Sequence, residues 1–373
     1  MIALFLFFSQ VLMGEEIHKG LWILHRDLAD KQHIDRFLDD AKTLGFTDLF
    51  VQVRARGEAM YRSEHVKISP LVQDPTFDPL EYVCTKAHEK GLKIHAWFNT
   101  YILYSKNTNN SSALVFLSQF PDWIEWDESA ISDVDKYHKA KNYKLFEGIY
   151  LSPLHPQVNS YLLVLIKELI TNYEIDGIHL DYVRFQGSEY GYNPTGMKLF
   201  YEKYGVNPRF FMNHSPLCDD PELYPLFRIL YDQYRCDAIS NLIKEIAYYN
   251  KSLQNPVFFS AAVKPSPEKA KNLFYQDWAT WIKEGWLDCA IPMNYTTQVN
   301  VYRDNLLEIR DILPSQSKHQ IWVGNGLWNK SYSDFEKNVI LAQSLNFSHY
   351  VVFSYNVLKE DKGYYRKIKT IND

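Results

Sequence analysis

The chain lacks much of what several protein classes need. It carries 4 cysteines in 373 residues and no CxxC pair, which argues against a structural zinc site. HxH and HExxH spacings are absent too, so no resident metal or other cofactor is expected. There is no excess of positive charge: 40 Lys and Arg stand against 45 Asp and Glu, for a net charge of −5 and a pI near 6.2. A nucleic-acid partner would call for a basic face, so none is expected. No internal repeat or low-complexity stretch breaks the chain. The apolar run Ile2 to Met13 is too short to cross a bilayer but suits the apolar centre of a signal peptide.

That run has no positive flank, the small residue Gly14 is a weak cleavage signal, and no cysteine follows it to carry a lipid. Residues 1–14 are therefore expected to be an export leader, which places the mature protein in the periplasm or outside the cell. The alternative is a buried first segment or a slightly misplaced start. Cys84 falls in a helical pattern and Cys289 in an apolar strand, as buried free thiols do. Cys218 and Cys236 could pair in an oxidising compartment, although their spacing does not require it.

What the chain has is length and rings. A chain of 373 residues can build one large α/β barrel or two ordinary domains. Its 9 Trp, 27 Tyr and 22 Phe suit sugar-stacking clefts and large cores alike.

From His18 onward short apolar strands alternate with helices, the pattern of a parallel sheet covered by helices. Strands are expected at Gly20–Leu24, Asp48–Val53, Lys93–Phe98, Asp176–Asp181, Val257–Ala262, Leu287–Met293, Gln320–Gly324 and Tyr350–Ser354. Helices are expected near His33–Leu44, Asp78–Lys90, Val158–Ile170, Tyr231–Tyr249, Tyr275–Lys283, Val301–Ile312 and Ser333–Ser344. Eight such units make a (β/α)8 TIM barrel spanning residues 18–360. Gly148–Leu151 is either a ninth strand or part of the third loop. The long segments Asn99–Leu154 and Gln186–Leu226 follow the third and fourth strands, so they belong over the catalytic mouth. The polar tip NTNNSS, Asn107 to Ser112, is expected to move.

The stretch IDGIHLDYVRF, Ile175 to Phe185, organises the rest. Side chains alternate along a strand, so Gly177, His179 and Asp181 share a face opposite Ile178 and Leu180. A buried carboxylate must be hydrogen-bonded, paired or used. At the C-terminal tip of a barrel strand it reads as catalytic. The same parity groups Gln52 with Arg54, and His95 with Trp97 and Asn99. Asn294, Asn325 and Asn356 follow the sixth, seventh and eighth strands. Polar residues at so many strand ends converge on one place. Each has a plainer reading: Asp181 held by Arg184, His179 as an orienting partner, Arg54 and Arg56 as scaffold salt bridges, Glu58 as a turn cap, Trp97 as core. Trp123 and Trp126 are either a sugar platform or a small core under the third loop.

The segments GLWI at Gly20, FVQVRARGEAMY at Phe50, FDPLEYVCTKAHEKGLKIHAWFNTY at Phe77, GIYLSPLHPQV at Gly148, YEIDGIHLDYVRF at Tyr173, FFSAAVKPSPEKA at Phe258, QDWATWIKEGWLDCAIPMNY at Gln276 and FSYN at Phe353 carry a resemblance. In this order they resemble the glycosyl hydrolase-like 10 family of bacterial (β/α)8 glycosidases, from about His18 to about Asn356. Where other members have a second carboxylate directly after the fourth-strand aspartate, this chain has Tyr182. The resemblance implies an exported enzyme that hydrolyses glycosidic bonds, with cell-wall glycan as one candidate substrate.

Glycoside hydrolysis usually takes two carboxyl groups. Asp181 is expected as nucleophile or base, with its pKa lowered by Arg54 or Arg184. Glu58 is expected as the acid, with Glu189 and Asp277 in reserve, since no strand after the fourth ends in glutamate. Arg54, Arg56, Tyr61, His95, Trp97, Asn99, His179, Tyr182, Arg184, Asn294, Tyr295 and Asn356 are expected to bind a polysaccharide or oligosaccharide, in a monomer. The rival readings are a non-catalytic glycan-binding barrel and a metal-dependent amidase or deacetylase.

Overall fold

The computed structural model describes residues 17–105, 111–139, 146–209 and 223–372. The expected leader, Cys218 and most of the NTNNSS tip lie outside the described residues.

Eight parallel strands are laid down in chain order: β1 Lys19–Ile23, β2 Asp48–Arg56, β3 Lys93–Asn99, β4 Gly177–Asp181, β5 Phe258–Val263, β6 Cys289–Pro292, β7 Val323–Gly326 and β8 Tyr350–Phe353. Each pairs with the next from β1 through to β6, and β8 bonds to both β1 and β7. Isolated parallel bridges at Ala290–Ile321 and Met293–Gly324 join β6 to β7 and nearly close the ring. The fold is the expected (β/α)8 TIM barrel. Every expected strand is present with its ends moved by a few residues.

Two apolar cores follow from strand parity. Outward residues such as Leu21, Val51, Ile94, Phe98, Ile178 and Leu180 pack under the helices. Inward residues Trp22, Phe50, Trp97, Ile291, Trp322 and Val351 fill the barrel itself. The helices start where the chemistry of their first turns dictates. Asp78 accepts from Leu80 N and Glu81 N ahead of Pro79–Glu89, and Pro156 opens Pro156–Asn172 without wasting a donor. Tyr275 is not helical: Pro267–Phe274 and Trp278–Lys283 are separate helices either side of it.

The insertion after β3 builds its own small sheet, Ile102–Ser105 antiparallel to Gly148–Tyr150. The Gly148–Leu151 run is thus a strand that belongs to the loop and not to the barrel. Gly148 must be glycine, since a Cβ there would sit 1.9 Å from the Tyr104 carbonyl oxygen. The insertion after β4 packs on this one: Glu128 N donates to Glu189 O, Tyr192 N to Trp126 O, and Asp127 bridges Tyr190. Trp123 is buried and stacks on Phe120 at 4.3 Å, beside Phe116 and Tyr161. It forms the core under the loop, so the sugar-platform reading of Trp123 gives way. Trp126 is half-buried against the same core.

Candidate active site

A cavity of about 290 Å³ opens at the C-terminal mouth of the barrel. Its walls include Asp181 from β4, Trp97 and Asn99 from β3, Gln52 and Arg56 from β2, and Trp22 from β1. Tyr295 after β6 and Phe353 at the end of β8 complete the ring, and Ile102 and Ser105 bring in the β3 insertion. Asp181 is the only carboxylate lining it among the described residues.

Asp181 is buried, and its Oδ1 accepts from the Tyr182 backbone N–H at 2.7 Å. Tyr182 reaches this position with φ of 52°, an uncommon conformation for a non-glycine residue. Burial raises the Asp181 pKa to about 6; the Tyr182 N–H, the Arg184 charge and the Trp97 indole pull it back, and Glu147 adds to the rise. The expected lowering is therefore reversed, because burial outweighs the cation. Arg184 gives its Nη2 to Glu147 at 3.0–3.1 Å, and its Nη1 to Phe185 O. Burial would raise the Glu147 pKa, but Arg184 and the Tyr150 hydroxyl hold it below its ordinary value. Lys264 follows β5 and is clamped through its backbone by Gln276 and Trp278. Burial and Arg184 lower its pKa to about 8, against the pull of Glu147 and Asp181.

Of the residues expected at the site, Asp181, Asn99, Trp97, Arg56, Tyr182 and Tyr295 line the cavity, and Arg184 stands beside Asp181. Arg56 is fixed by donating from Nε to Ser105 Oγ at 2.7 Å, and Asn99 by donating from Nδ2 to Ala55 O at 2.8 Å.

The other expected residues sit elsewhere. A β-bulge after Gln52 shifts the β2–β3 register, so Arg54 falls opposite the outward Phe98 instead of the inward Asn99. Its guanidinium lies 4.8 Å from the Phe98 ring and donates to Asn99 O and Thr100 O, behind the barrel wall. His95 points inward but sits low in the barrel, 2.9 Å from Asp48. His179 is at mid-height, taking the Trp22 indole N–H at Nε2 and meeting Ser260 Oγ at Nδ1. Burial, with His95 nearby, keeps His179 neutral by lowering its pKa far below the usual range. It is an orienting residue of the barrel interior. Tyr61 is buried against Tyr173, outside the cavity. Asn294 spends its amide on Tyr302 O and Asn305, and Asn356 lies in the helix Tyr355–Glu360, away from the walls. Glu58 forms a two-residue strand against β2 and does not line the cavity. Burial raises its pKa, opposed by Ser69 and Arg56.

Sequence reasoning placed Gln52 among the converging strand-end residues without giving it a role, and missed Trp22, His25, Glu147 and Lys264. Parity already pointed Gln52 inward, and Lys264 follows a strand tip. Glu147 returns to the site from deep within an insertion, and no periodicity announces that.

A larger cavity of about 690 Å³ lies at the opposite end of the barrel. Its carboxylates serve the scaffold. Asp176 accepts from Ile94 N, Asp288 from Phe259 N, and Asp48 from His18, His95 and Thr47. The N-terminal face of such a barrel serves stability, so the smaller cavity is the candidate active site. Among the described residues no three His, Cys, Asp or Glu side chains gather as metal ligands.

The eight-stranded parallel barrel with its helices is the fold of the TIM-barrel glycoside hydrolases. The glycoside hydrolase domain of PgaB (BpsB) from Bordetella bronchiseptica shares it, with a TM-score of 0.66 over 95% of this chain and 98% of that one, at 12% identity. The chain belongs to the glycosyl hydrolase-like 10 family, whose model matches residues 18–320. It is similar to the glycosyl hydrolase YngK of Bacillus subtilis (strain 168), 25% identical over 71% of this chain and 49% of that one. It is also similar to the glycosyl hydrolase DigH of Escherichia coli O6:H1, 30% identical over 69% of this chain and 56% of that one. The chain thus spans about half the length of these relatives.

Proposed function

We propose that this protein hydrolyses glycosidic bonds of a bacterial polysaccharide, with the glycan strands of peptidoglycan as the first candidate. The observation that carries the reading is Asp181, buried and, among the described residues, the one carboxylate on the wall of an aromatic-lined cavity at the catalytic end of the barrel. With a pKa near 6, its carboxyl holds a proton under mildly acidic conditions, as a group that protonates a leaving oxygen must. Glu147 does not line the cavity, but Arg184 keeps it ionised and its charge reaches Asp181, which makes it the second carboxyl, suited to activate water or attack the sugar. This assignment gives Asp181 the acid role expected of Glu58. Export, expected from the Ile2–Met13 run, belongs to the same proposal, since peptidoglycan lies outside the cytoplasm.

The test is to incubate the protein with purified peptidoglycan and with neutral polysaccharides and to measure new reducing ends, with Asp181→Asn as control. Cleavage that depends on Asp181 supports the proposal. Tight binding without any cleavage would make the protein a glycan-binding barrel instead.

A further inference from the structure

Of the nine tryptophans, Trp328 alone is exposed, at 52%. It sits in the turn after β7, and nothing about its position is loose. Its ring meets Tyr295 at 5.0 Å and 81°, and Phe353 at 5.4 Å and 82°, the edge-to-face geometry aromatic rings prefer. The turn is tied down on both sides: Leu327 N donates to Phe353 O, Asn329 Nδ2 to Tyr295 O, and Lys330 Nζ to Thr296 O. Gly326 makes room for the ring, since a Cβ there would come within 2.4 Å of it. A large apolar side chain has thus been fixed in place with half its surface open to water.

Its two aromatic neighbours locate it relative to the chemistry. Tyr295 and Phe353 both line the cavity that holds Asp181, so Trp328 continues the aromatic wall of that cavity out onto the rim. A pyranose ring presents a face of C–H groups, which stacks on an indole while its hydroxyls stay hydrated. An amphipathic, rigid surface of this kind binds at little cost in conformational entropy.

We propose that Trp328 is a stacking platform for one pyranose unit of the glycan, outside the Asp181 cavity and flanking the bond to be cut. The inference rests on the glycan reading of the cavity and adds to it a subsite on the β7 side. Oligosaccharides long enough to reach the rim gain affinity from it.

The experiment uses the Asp181→Asn protein, so that binding is read without turnover. Chitohexaose and soluble peptidoglycan glycan strands are titrated by calorimetry and by tryptophan fluorescence. Adding Trp328→Ala should weaken binding by about 10-fold and remove most of the fluorescence change. Trp328→Phe should keep much of the affinity, because it keeps an aromatic face. Gly326→Ala should weaken binding by displacing the ring while all nine indoles remain. Melting temperature checks that each variant is folded. If Trp328→Ala binds both glycans as well as its parent while wild-type protein cleaves glycan, the platform is wrong and the glycosidase reading stands. If wild-type protein neither binds nor cleaves either glycan, the glycan reading falls and the platform falls with it.

Discussion

Arg184 places its Nη2 3.0 Å from a Glu147 carboxylate oxygen, and so gives to Glu147 much of the charge that would otherwise settle Asp181. This single pairing separates the two carboxyl groups: one is held ionised, and the other is left to the effect of its burial. Opposed shifts in neighbouring carboxyls are how acid and base roles are divided at one pH. Glu147→Gln should therefore cut glycan cleavage by about 10²-fold or more, as loss of a positioned acid–base group does. Glu58→Gln should leave cleavage within a few-fold, because Glu58 neither lines the cavity nor, unlike Glu147, is among the main charges acting on Asp181. Equal losses in the two variants, measured as reducing ends released, would return the second role to Glu58.

Asp181→Asn should lower cleavage by about 10²–10⁴-fold while the protein stays folded. Stability adds an independent readout. A carboxyl raised from 3.8 to about 6 on folding carries no penalty while protonated in both states. As pH rises from 4 through 6, the folded state loses stability relative to the unfolded one, on the order of 3 kcal/mol once fully ionised. Asn never ionises and avoids that loss. The variant should match wild type near pH 4 and melt higher at pH 8. A variant that melts well below wild type at both pH values would make Asp181 a structural residue.

Lys264 gives a test of which way Asp181 works. Lys264→Met removes a cation that favours the ionised form of Asp181, so the Asp181 pKa should move above 6. If Asp181 is the acid, activity falls as it deprotonates, and the alkaline limb of the kcat/KM profile should move to higher pH. If Asp181 is the nucleophile or base, the acidic limb should move instead. The direction and the limb are both read from one pH–rate series.

Strand parity told which way a side chain points but not how high it sits. That is why Trp97, Asn99 and Asp181 were legible in the sequence while His95 and His179, on the same faces, lie below the cavity among the interior rings. Eight apolar runs with helices between them made the barrel plain. The bulge after Gln52 was not legible: one extra residue in β2 turns Arg54 outward, and its sequence reads as regular alternation. Glu147 was out of reach for another reason. It lies 34 residues before Asp181, and only the antiparallel pairing of Gly148–Tyr150 with Ile102–Ser105 brings it back. Local pattern reports local structure, whereas that contact depends on the fold of a whole insertion.

That pairing can be tested directly. Gly148→Ala puts a Cβ 1.9 Å from the Tyr104 carbonyl oxygen, a backbone atom that no side-chain rotation relieves. The two strands must separate, and Glu147 moves with them. Cleavage should fall toward the level of Glu147→Gln, while melting of the barrel changes by no more than about 1–3 kcal/mol. Unchanged activity in Gly148→Ala would mean that Glu147 need not be held by this sheet.

The two insertions meet over a buried acidic pair, so their packing should depend on pH. Glu125 Oε1 accepts from Trp126 N, Gly191 N and Tyr192 N, tying the β3 insertion to the β4 insertion. Asp133 accepts from Tyr150 N and from Gln186 Nε2, tying the same two segments a second time. Burial raises the Glu125 pKa to about 7, with those N–H groups and Ser152 opposing it. Burial raises the Asp133 pKa well above its ordinary value too, helped by the charge of Glu125 and opposed by the Tyr150 N–H, Lys136 and Gln186. Lys136 is engaged by Asp127 at 2.8 Å and by the Tyr190 hydroxyl, so its charge is shared. For carboxyls raised on folding, the stabilising state is the protonated one. The stability it gives is complete below the ordinary value of 4.5 for Glu125 and is lost as pH rises through 7. The insertions should therefore loosen between pH 6 and 8.5 while the barrel beneath them holds. Limited proteolysis should cut within residues 125–139 and 186–192 faster at pH 8.5 than at pH 6. Glu125→Gln keeps an amide oxygen for the three N–H donors and cannot ionise, so it should flatten that dependence. If wild type and Glu125→Gln lose protection in parallel across this range, the pair does not control how the insertions pack.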